Sequence, residues 1–351
     1  MMNTRMASLL IVVLACVPTA AQALDQTQLF VGSYQPSKLL EYRQIKETRR
    51  QHQFDQEGWA LVSYDLNAEG KVTRAEIYDS IGLRWLERAA LKRVQSSVYQ
   101  AAELNGRAVD STNLVQLVLF NSRPGHAPRP SKTFNTLYQK SYDALYSDDS
   151  NARSVIYQEL AQYQPTNFNE NNRRTYLQAA YYTELQDWLK VYELRRLLVN
   201  NYRDALNGRQ SLFNRLEFVA VAVELGHLRQ AQRVLQLVEE QPEYKGQPQD
   251  SPTRAFVEEL KTEILDLEQQ EAPIQVLHRL SANRSWYHKP VREQFEVVVH
   301  QGEIAWLIFN CGDKAYKYNF VYNFRYSMPA GNNCGITVKA DSDAELTLIE
   351  Y

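Results

Sequence analysis

Glycine, histidine and cysteine are scarce in this chain of 351 residues, with 13, 6 and 3 copies. A phosphate-binding loop needs a glycine-rich turn before Lys-Ser or Lys-Thr, and Gly70-Lys71 has neither neighbour. No G-x-S-x-G serine elbow occurs. The six histidines stand singly, without paired metal-ligand spacing: His52, His126, His227, His278, His288 and His300. The sequence therefore predicts no enzyme, no metal site and no cofactor.

The chain also has no large excess of positive or negative charge. The formal net charge is −2, and acidic and basic residues are mixed along the chain. A protein that follows a phosphate backbone needs a basic face, so nucleic acid is not an expected partner. The 44% hydrophobic content is enough for two or three folded units.

The N-terminus lacks an apolar run long enough to span a membrane. Its apolar stretch, residues 7–17, is about half of the roughly 20 residues that a spanning helix needs. Arg5 precedes it and Ala21-Gln22-Ala23 follows it, which predicts a cleaved signal peptide over residues 1–23. Two alternatives stay open: lipid attachment at Cys16, and an uncleaved anchor in the inner membrane.

Beyond residue 23, only two cysteines remain, Cys311 and Cys334. An even count in an exported chain predicts a disulfide between them. Closing that loop would stabilise the fold by about 3 kcal/mol in the chain-entropy model.

Residues 24–122 are predicted to form a small ββαβ unit. Residues 24–56 are a polar lead-in with weak helical spacing. Alternation over residues 60–66 and the turn at Gly70 predict a hairpin with the strand at residues 72–78. Val72 and Ile77 are an odd number of residues apart, so both can face one core only if a bulge intervenes.

Helical spacing follows the hairpin. Leu86, Ala90 and Val94 recur at intervals of four and predict a helix that covers it. Asn105-Gly106 then turns the chain, and the apolar run at residues 114–120 predicts a last strand with an open edge. The residues expected to bind a partner on that edge are Asn113, Val115, Leu117 and Leu119.

The order of these signals resembles the TonB C-terminal domain family over roughly residues 40–122. The matching positions are Glu57-Gly58, Ala60, Val62, Tyr64, Leu66, Gly70, Val72, Ile77, Ser80, Gly82, Leu86, Glu87, Ala89-Ala90, Val94, Tyr99 and Asn105-Gly106. The resemblance implies a periplasmic domain of a Gram-negative cell. It also implies that the domain binds a short segment of outer-membrane transporters by strand addition and transmits inner-membrane energy for transport.

Three prolines at residues 123–130 predict a linker. Helical spacing then fills residues 131–272, where the turns at Gln186 and Gly226 lie 40 positions apart. This pattern resembles degenerate tetratricopeptide hairpins, which stack into a short solenoid. Ser251-Pro252 has the chemistry to start its last helix.

Short β-rich runs predict a small antiparallel β-sandwich over residues 273–351. They are residues 294–300, 303–309, 315–326, 335–340 and 345–351. The whole chain is thus expected to be a multidomain α+β protein.

Two functions fit this organisation. The first is a non-enzymatic periplasmic TonB-family protein that binds envelope proteins by strand addition. Its partners would be TonB-dependent outer-membrane transporters or the inner-membrane energising complex, with the N-terminus as a further means of membrane association. The second is an envelope scaffold that binds protein or glycan through its helical repeats and its C-terminal β-domain.

Overall fold

A computed structural model describes residues 26–43, 57–120, 129–199, 208–282, 284–328 and 334–351. It confirms the predicted order of a small mixed unit, a helical region and an antiparallel β unit. The predicted signal peptide and most of the predicted linker lie outside the described residues.

The first unit contains three short elements before the predicted hairpin. Its elements are α1 (Gln26–Leu29), β1 (Phe30–Gln35), β2 (Lys38–Glu41), β3 (Gly58–Leu66), β4 (Val72–Ser80), α2 (Arg84–Ser96), β5 (Val98–Gln100), β6 (Ala102–Leu104), β7 (Arg107–Val109) and β8 (Ser111–Phe120). Residues 38–41 of the lead-in, where the sequence showed only weak helical spacing, form β2. They are a strand because they pair with β5.

Strand β3 is the centre of a three-stranded sheet in the order β4-β3-β8. The pairing of β3 with β4 shifts register twice, so Val72 lies opposite Leu66 and Ile77 opposite Val62. This confirms the predicted irregularity between Val72 and Ile77. The apolar stripe of α2 is fully buried against one face of the sheet.

Eight helices are described in the central region. They are α3 (Lys132–Leu145), α4 (Ser150–Gln162), α5 (Phe168–Glu184), α6 (Trp188–Val199), α7 (Gly208–Glu224), α8 (Leu228–Glu240), α9 (Pro242–Lys245) and α10 (Pro252–Gln269). Ser251 caps α10 as predicted, because its side chain accepts a hydrogen bond from Arg254 N.

The α5–α6 and α7–α8 turns have the same backbone geometry. Gln186 and Gly226 both lie in the left-handed region, with φ of 58° and 77°. The next residue in each turn, Asp187 or His227, donates its N–H to the carbonyl five positions earlier, at 3.1 Å and 2.7 Å. The 40-residue spacing found in the sequence therefore corresponds to two equivalent turns, and the helices are compatible with the predicted repeats.

Two sheets form the C-terminal sandwich. Its strands are β9 (Ile274–Leu280), β10 (Ser285–His288), β11 (Gln294–Gln301), β12 (Ile304–Cys311), β13 (Lys314–Asn319), β14 (Arg325–Ser327), β15 (Cys334–Ala340) and β16 (Ala344–Glu350). The sequence did not predict β9 or β10, and the single run expected at residues 315–326 is divided into β13 and β14. One sheet has the order β14-β11-β16-β9.

The other sheet combines strands of the C-terminal unit with strands of the first unit. Its order is β10-β15-β12-β13-β1-β6-β7, so three strands from the first unit extend a sheet of the sandwich. Side chains of α7, α8 and α10 share one buried cluster with both sheets. The division of the chain at residues 122, 130 and 272 remains a prediction.

Cys311 and Cys334 form the predicted disulfide. They lie opposite each other on the paired strands β12 and β15, with their Cα atoms 4.1 Å apart.

Replacing both cysteines by alanine should lower the free energy of unfolding by about 3 kcal/mol, because the closed loop limits the unfolded chain. Chemical denaturation followed by circular dichroism measures this loss. Dithiothreitol should destabilise the wild-type protein by the same amount and leave the double variant unchanged. Equal stability of the oxidised protein and the variant would contradict the prediction.

Candidate partner-binding edge

Strand β8 is an end strand of the three-stranded sheet, as far as the described residues show. It runs antiparallel to β3 over nearly its whole length, from Gly58 opposite Phe120 to Tyr64 opposite Leu114. The peptide groups on its outer side therefore have no partner strand in the described part of the chain. Such an edge can pair with an added strand.

The register shows which residues of β8 turn their peptide groups outward. Ile81 N donates to Trp59 O at 3.1 Å, so the carbonyl of Trp59 points toward β4. Because directions alternate along a strand, the peptide groups of Gly58 and Ala60 point toward β8. Their partners on β8 point back, which leaves the N–H and C=O groups of three residues facing the open edge: Val115, Leu117 and Leu119.

The side chains of these three residues point away from α2. They alternate with Val118 and Phe120, which are buried in the core beneath the helix. Val115 and Leu117 are 39% and 45% exposed, so apolar surface lies beside the open peptide groups. Three of the four predicted residues thus combine outward hydrogen-bonding groups with an apolar face.

Asn113 differs from the other three predicted residues. Its φ of 54° interrupts the strand, and its N–H donates to Asp65 Oδ1 at 2.7 Å. Its carbonyl lies 3.4 Å from Lys339 Nζ, which reaches it from the sandwich. Arg74 donates to its side chain at 2.9 Å. Asn113 therefore holds the start of β8 in place, and its peptide groups are already bonded.

Lys339 is nearly buried where it meets the start of β8. Burial lowers the pKa of its ammonium group to about 8, although Asp341 and Asp65 favour the charged form. Lys339 belongs to β15, so a side chain of the C-terminal unit limits the free part of the edge.

Tyr99 supports β8 on the helix side. Its hydroxyl donates to Gln116 Oε1 at 2.7 Å, and its ring packs against Tyr64. Burial raises the pKa of the Tyr99 hydroxyl, so it stays protonated and keeps this bond near neutral pH. The Tyr99–Gln116 contact lies on the face of β8 that packs under α2. It is on the opposite face from the exposed side chains that a partner would contact.

The structure also gathers three of the scattered histidines. His227, at the start of α8, lies 5.6 Å from His278 and 5.9 Å from His288, measured between ring centroids. Trp286 stacks on His278 at 4.3 Å. All four side chains are buried where the helices meet the sandwich. Sequence spacing could not have shown this cluster, because it unites α8, β9 and β10.

No metal-binding group of three or more histidine, cysteine or carboxylate side chains occurs in the described ranges. Within those ranges, no helix is both long enough and apolar enough to cross a membrane.

Residues 49–120 match the family model of the Gram-negative bacterial TonB protein C-terminal, which covers about a fifth of the chain. The match includes β3, β4, α2 and β8. No curated protein matches the chain.

Proposed function

We propose, from the match of residues 49–120 to the TonB C-terminal family, that this is a non-enzymatic periplasmic protein that binds an extended segment of an envelope partner. The segment adds to β8 as a fourth strand. The observation that carries the proposal is the open edge, where Val115, Leu117 and Leu119 turn both peptide groups outward. Backbone hydrogen bonds would supply affinity, and the exposed apolar side chains would select the segment.

The partners that suit this edge are TonB-dependent outer-membrane transporters, which would link the protein to transmembrane transport. An energising complex of the inner membrane is the other partner class. The protein would reach either from the periplasm after cleavage of residues 1–23. An uncleaved or lipidated N-terminus would bring the same edge to a membrane surface.

Proline at residue 115 or 117 tests the edge directly. Val115→Pro and Leu117→Pro each remove one outward N–H and leave the β3 ladder intact. We expect capture of TonB-dependent transporters from Gram-negative envelope extract to fall at least about tenfold, since the ring also obstructs a neighbouring strand. Quantitative mass spectrometry of the captured proteins gives the readout.

Val115→Thr is the matched control, because it keeps the N–H and nearly the same shape. It should capture transporters within about twofold of the wild-type protein, because backbone bonds dominate strand addition. Leu119→Pro provides a third position if one variant fails to fold, as judged by circular dichroism. Unchanged capture by folded proline variants would sink the proposal.

An envelope scaffold is the second candidate, and exposed aromatic residues favour it. Tyr142 on α3 and Tyr146, the residue just after that helix, lie with ring centroids 5.5 Å apart, and both are exposed. Such rings can contact protein or sugar. If the helical region carries the function, Tyr142→Ala with Tyr146→Ala should abolish capture of an envelope partner that the proline variants still bind.

A further inference from the structure

We propose that β1 is a clip that joins the β6–β7 hairpin of the first unit to the sandwich, and that withdrawal of β1 releases the first unit from the sandwich. The proposal concerns how the units are held together and does not depend on what β8 binds.

Strand β1 pairs on both of its sides. Toward the sandwich it runs antiparallel to β13, with Ser33 opposite Tyr316. Toward the first unit it runs antiparallel to β6, with Tyr34 opposite Leu104. Among the described strands, β13 and β6 meet only through β1. Removing β1 would therefore leave two unpaired edges and divide the sheet.

Asn105 holds β1 from the first unit. Its N–H donates to Ser33 O at 2.8 Å, and its Oδ1 accepts from Ser33 N at 2.9 Å. Its Nδ2 lies 3.4 Å from Val31 O. The Asn105 side chain thus bonds to β1 as a neighbouring strand would. Asn105-Gly106 thus forms the tight turn between β6 and β7, and the Asn105 side chain also binds β1.

Gly32 lets the Asn105 side chain approach β1 closely. A Cβ atom at residue 32 would lie 2.4 Å from Asn105 Nδ2, so a larger residue would displace that amide. The close approach explains why a glycine occurs inside a six-residue strand.

Gln26 holds β1 from the sandwich. Its side-chain amide donates to Ser327 O and accepts from Ser327 N, both at 2.8 Å. Leu29 is buried in the shared core, and Phe30 packs on Tyr318 with ring centroids 5.6 Å apart. These contacts anchor the start of β1 on β13 and β14.

No side chain of β1 is fully buried, because the one buried residue in the strand is Gly32. A segment with little buried apolar surface and exposed backbone bonds opens more readily than a core strand. The remaining contacts between the first unit and the sandwich include side-chain contacts, such as Arg284 over Tyr78 and Lys339 on Asn113. Strand β1 thus joins the units by backbone pairing and is itself weakly buried, which suits a releasable clip.

Two substitutions loosen the clip from opposite ends in the full-length protein. Asn105→Ala removes the side-chain grip of the first unit, and Gln26→Ala removes the bonds to Ser327. We expect the double variant to raise amide hydrogen exchange in β1, β6 and β13 at least about tenfold, with β11 unchanged. Small-angle X-ray scattering should show a larger radius of gyration as the first unit separates.

Asn67→Ala is the matched control. Asn67 also organises a tight turn, since its Oδ1 accepts from Lys71 N at 2.9 Å, but that turn lies between β3 and β4. It should leave exchange in β1 and the radius of gyration unchanged. If Asn105→Ala disorders its own hairpin, Gln26→Ala alone still loosens β1 from the sandwich side. Faster exchange in β1 with an unchanged radius of gyration, or no change in exchange, would overturn the proposal.

Discussion

Replacing Glu350 by alanine should lower the free energy of unfolding by about 3 to 5 kcal/mol, because the protein loses a buried carboxyl group that three other groups share as a hydrogen-bond partner. Glu350 is fully buried, with 0% exposure. Its Oε1 lies 2.8 Å from His288 Nε2, and its Oε2 accepts from Val291 N at 2.6 Å and Arg292 N at 3.0 Å. Alanine leaves the buried His288 side chain and the two partly buried N–H groups without this partner.

Glu345 offers a matched control on the same strand, β16. Its carboxylate pairs with Arg279 at 3.1 Å, and the two side chains are 41% and 44% exposed. Glu345→Ala should therefore cost no more than about 1 kcal/mol. Chemical denaturation of the two variants measures the difference. Similar losses of unfolding free energy in the two variants would show that the contribution of Glu350 to stability does not depend on its burial.

Acidification should destabilise the protein through the buried histidines. The pKa of His227 lies well below 6.5 because of burial, with His288 and Arg196 acting in the same direction. The pKa of His278 is lowered in the same way by burial, His227, Arg196 and His288. Both imidazoles remain neutral in the folded protein when the unfolded chain takes up protons. Stability is therefore complete above pH 6.5 and falls below it.

The expected slope below pH 6.5 is about 1.4 kcal/mol per pH unit for each histidine, or about 2.7 for the two together. His278→Gln should remove about half of this slope, whatever its effect on stability at pH 8. The measurement is the free energy of unfolding at several pH values between 5 and 8.

His300→Gln is the control for the slope, because His300 bonds to Thr347 outside the cluster. Burial raises the pKa values of Asp79 and Glu263, so these carboxyls act in the opposite direction. Comparing each variant with the wild-type protein cancels their effect. If His278→Gln leaves the pH dependence of the unfolding free energy unchanged, the buried histidines do not cause it.

The sequence predicts the parts of the fold that carry their own local signal. Alternation marks β3, and spacing at intervals of four marks α2, because each pattern follows from the geometry of a single element. The equivalent turns at Gln186 and Gly226 were visible for the same reason. Strand β1 lacked such a signal, because it is short and weakly buried and its strand pairing depends on distant partners.

The candidate edge was predictable in part. Alternation along the last apolar run selects Val115, Leu117 and Leu119 together, and in the register of β8 their peptide groups face the same side. The occupied peptide groups of Asn113 could not be foreseen, because Lys339 reaches them from another unit. The histidine cluster was hidden for a similar reason. Its members come together only when a helix and two strands pack.

The position of β1 also sets an order of assembly. Phe30 leaves the ribosome long before its partner Tyr318, and the largest sheet cannot close until both are available. Contacts this distant in sequence form slowly. A chain that emerges from its N-terminus would therefore expose the unpaired edge of β1 until β13 arrives, and during that interval this edge would need protection from other chains.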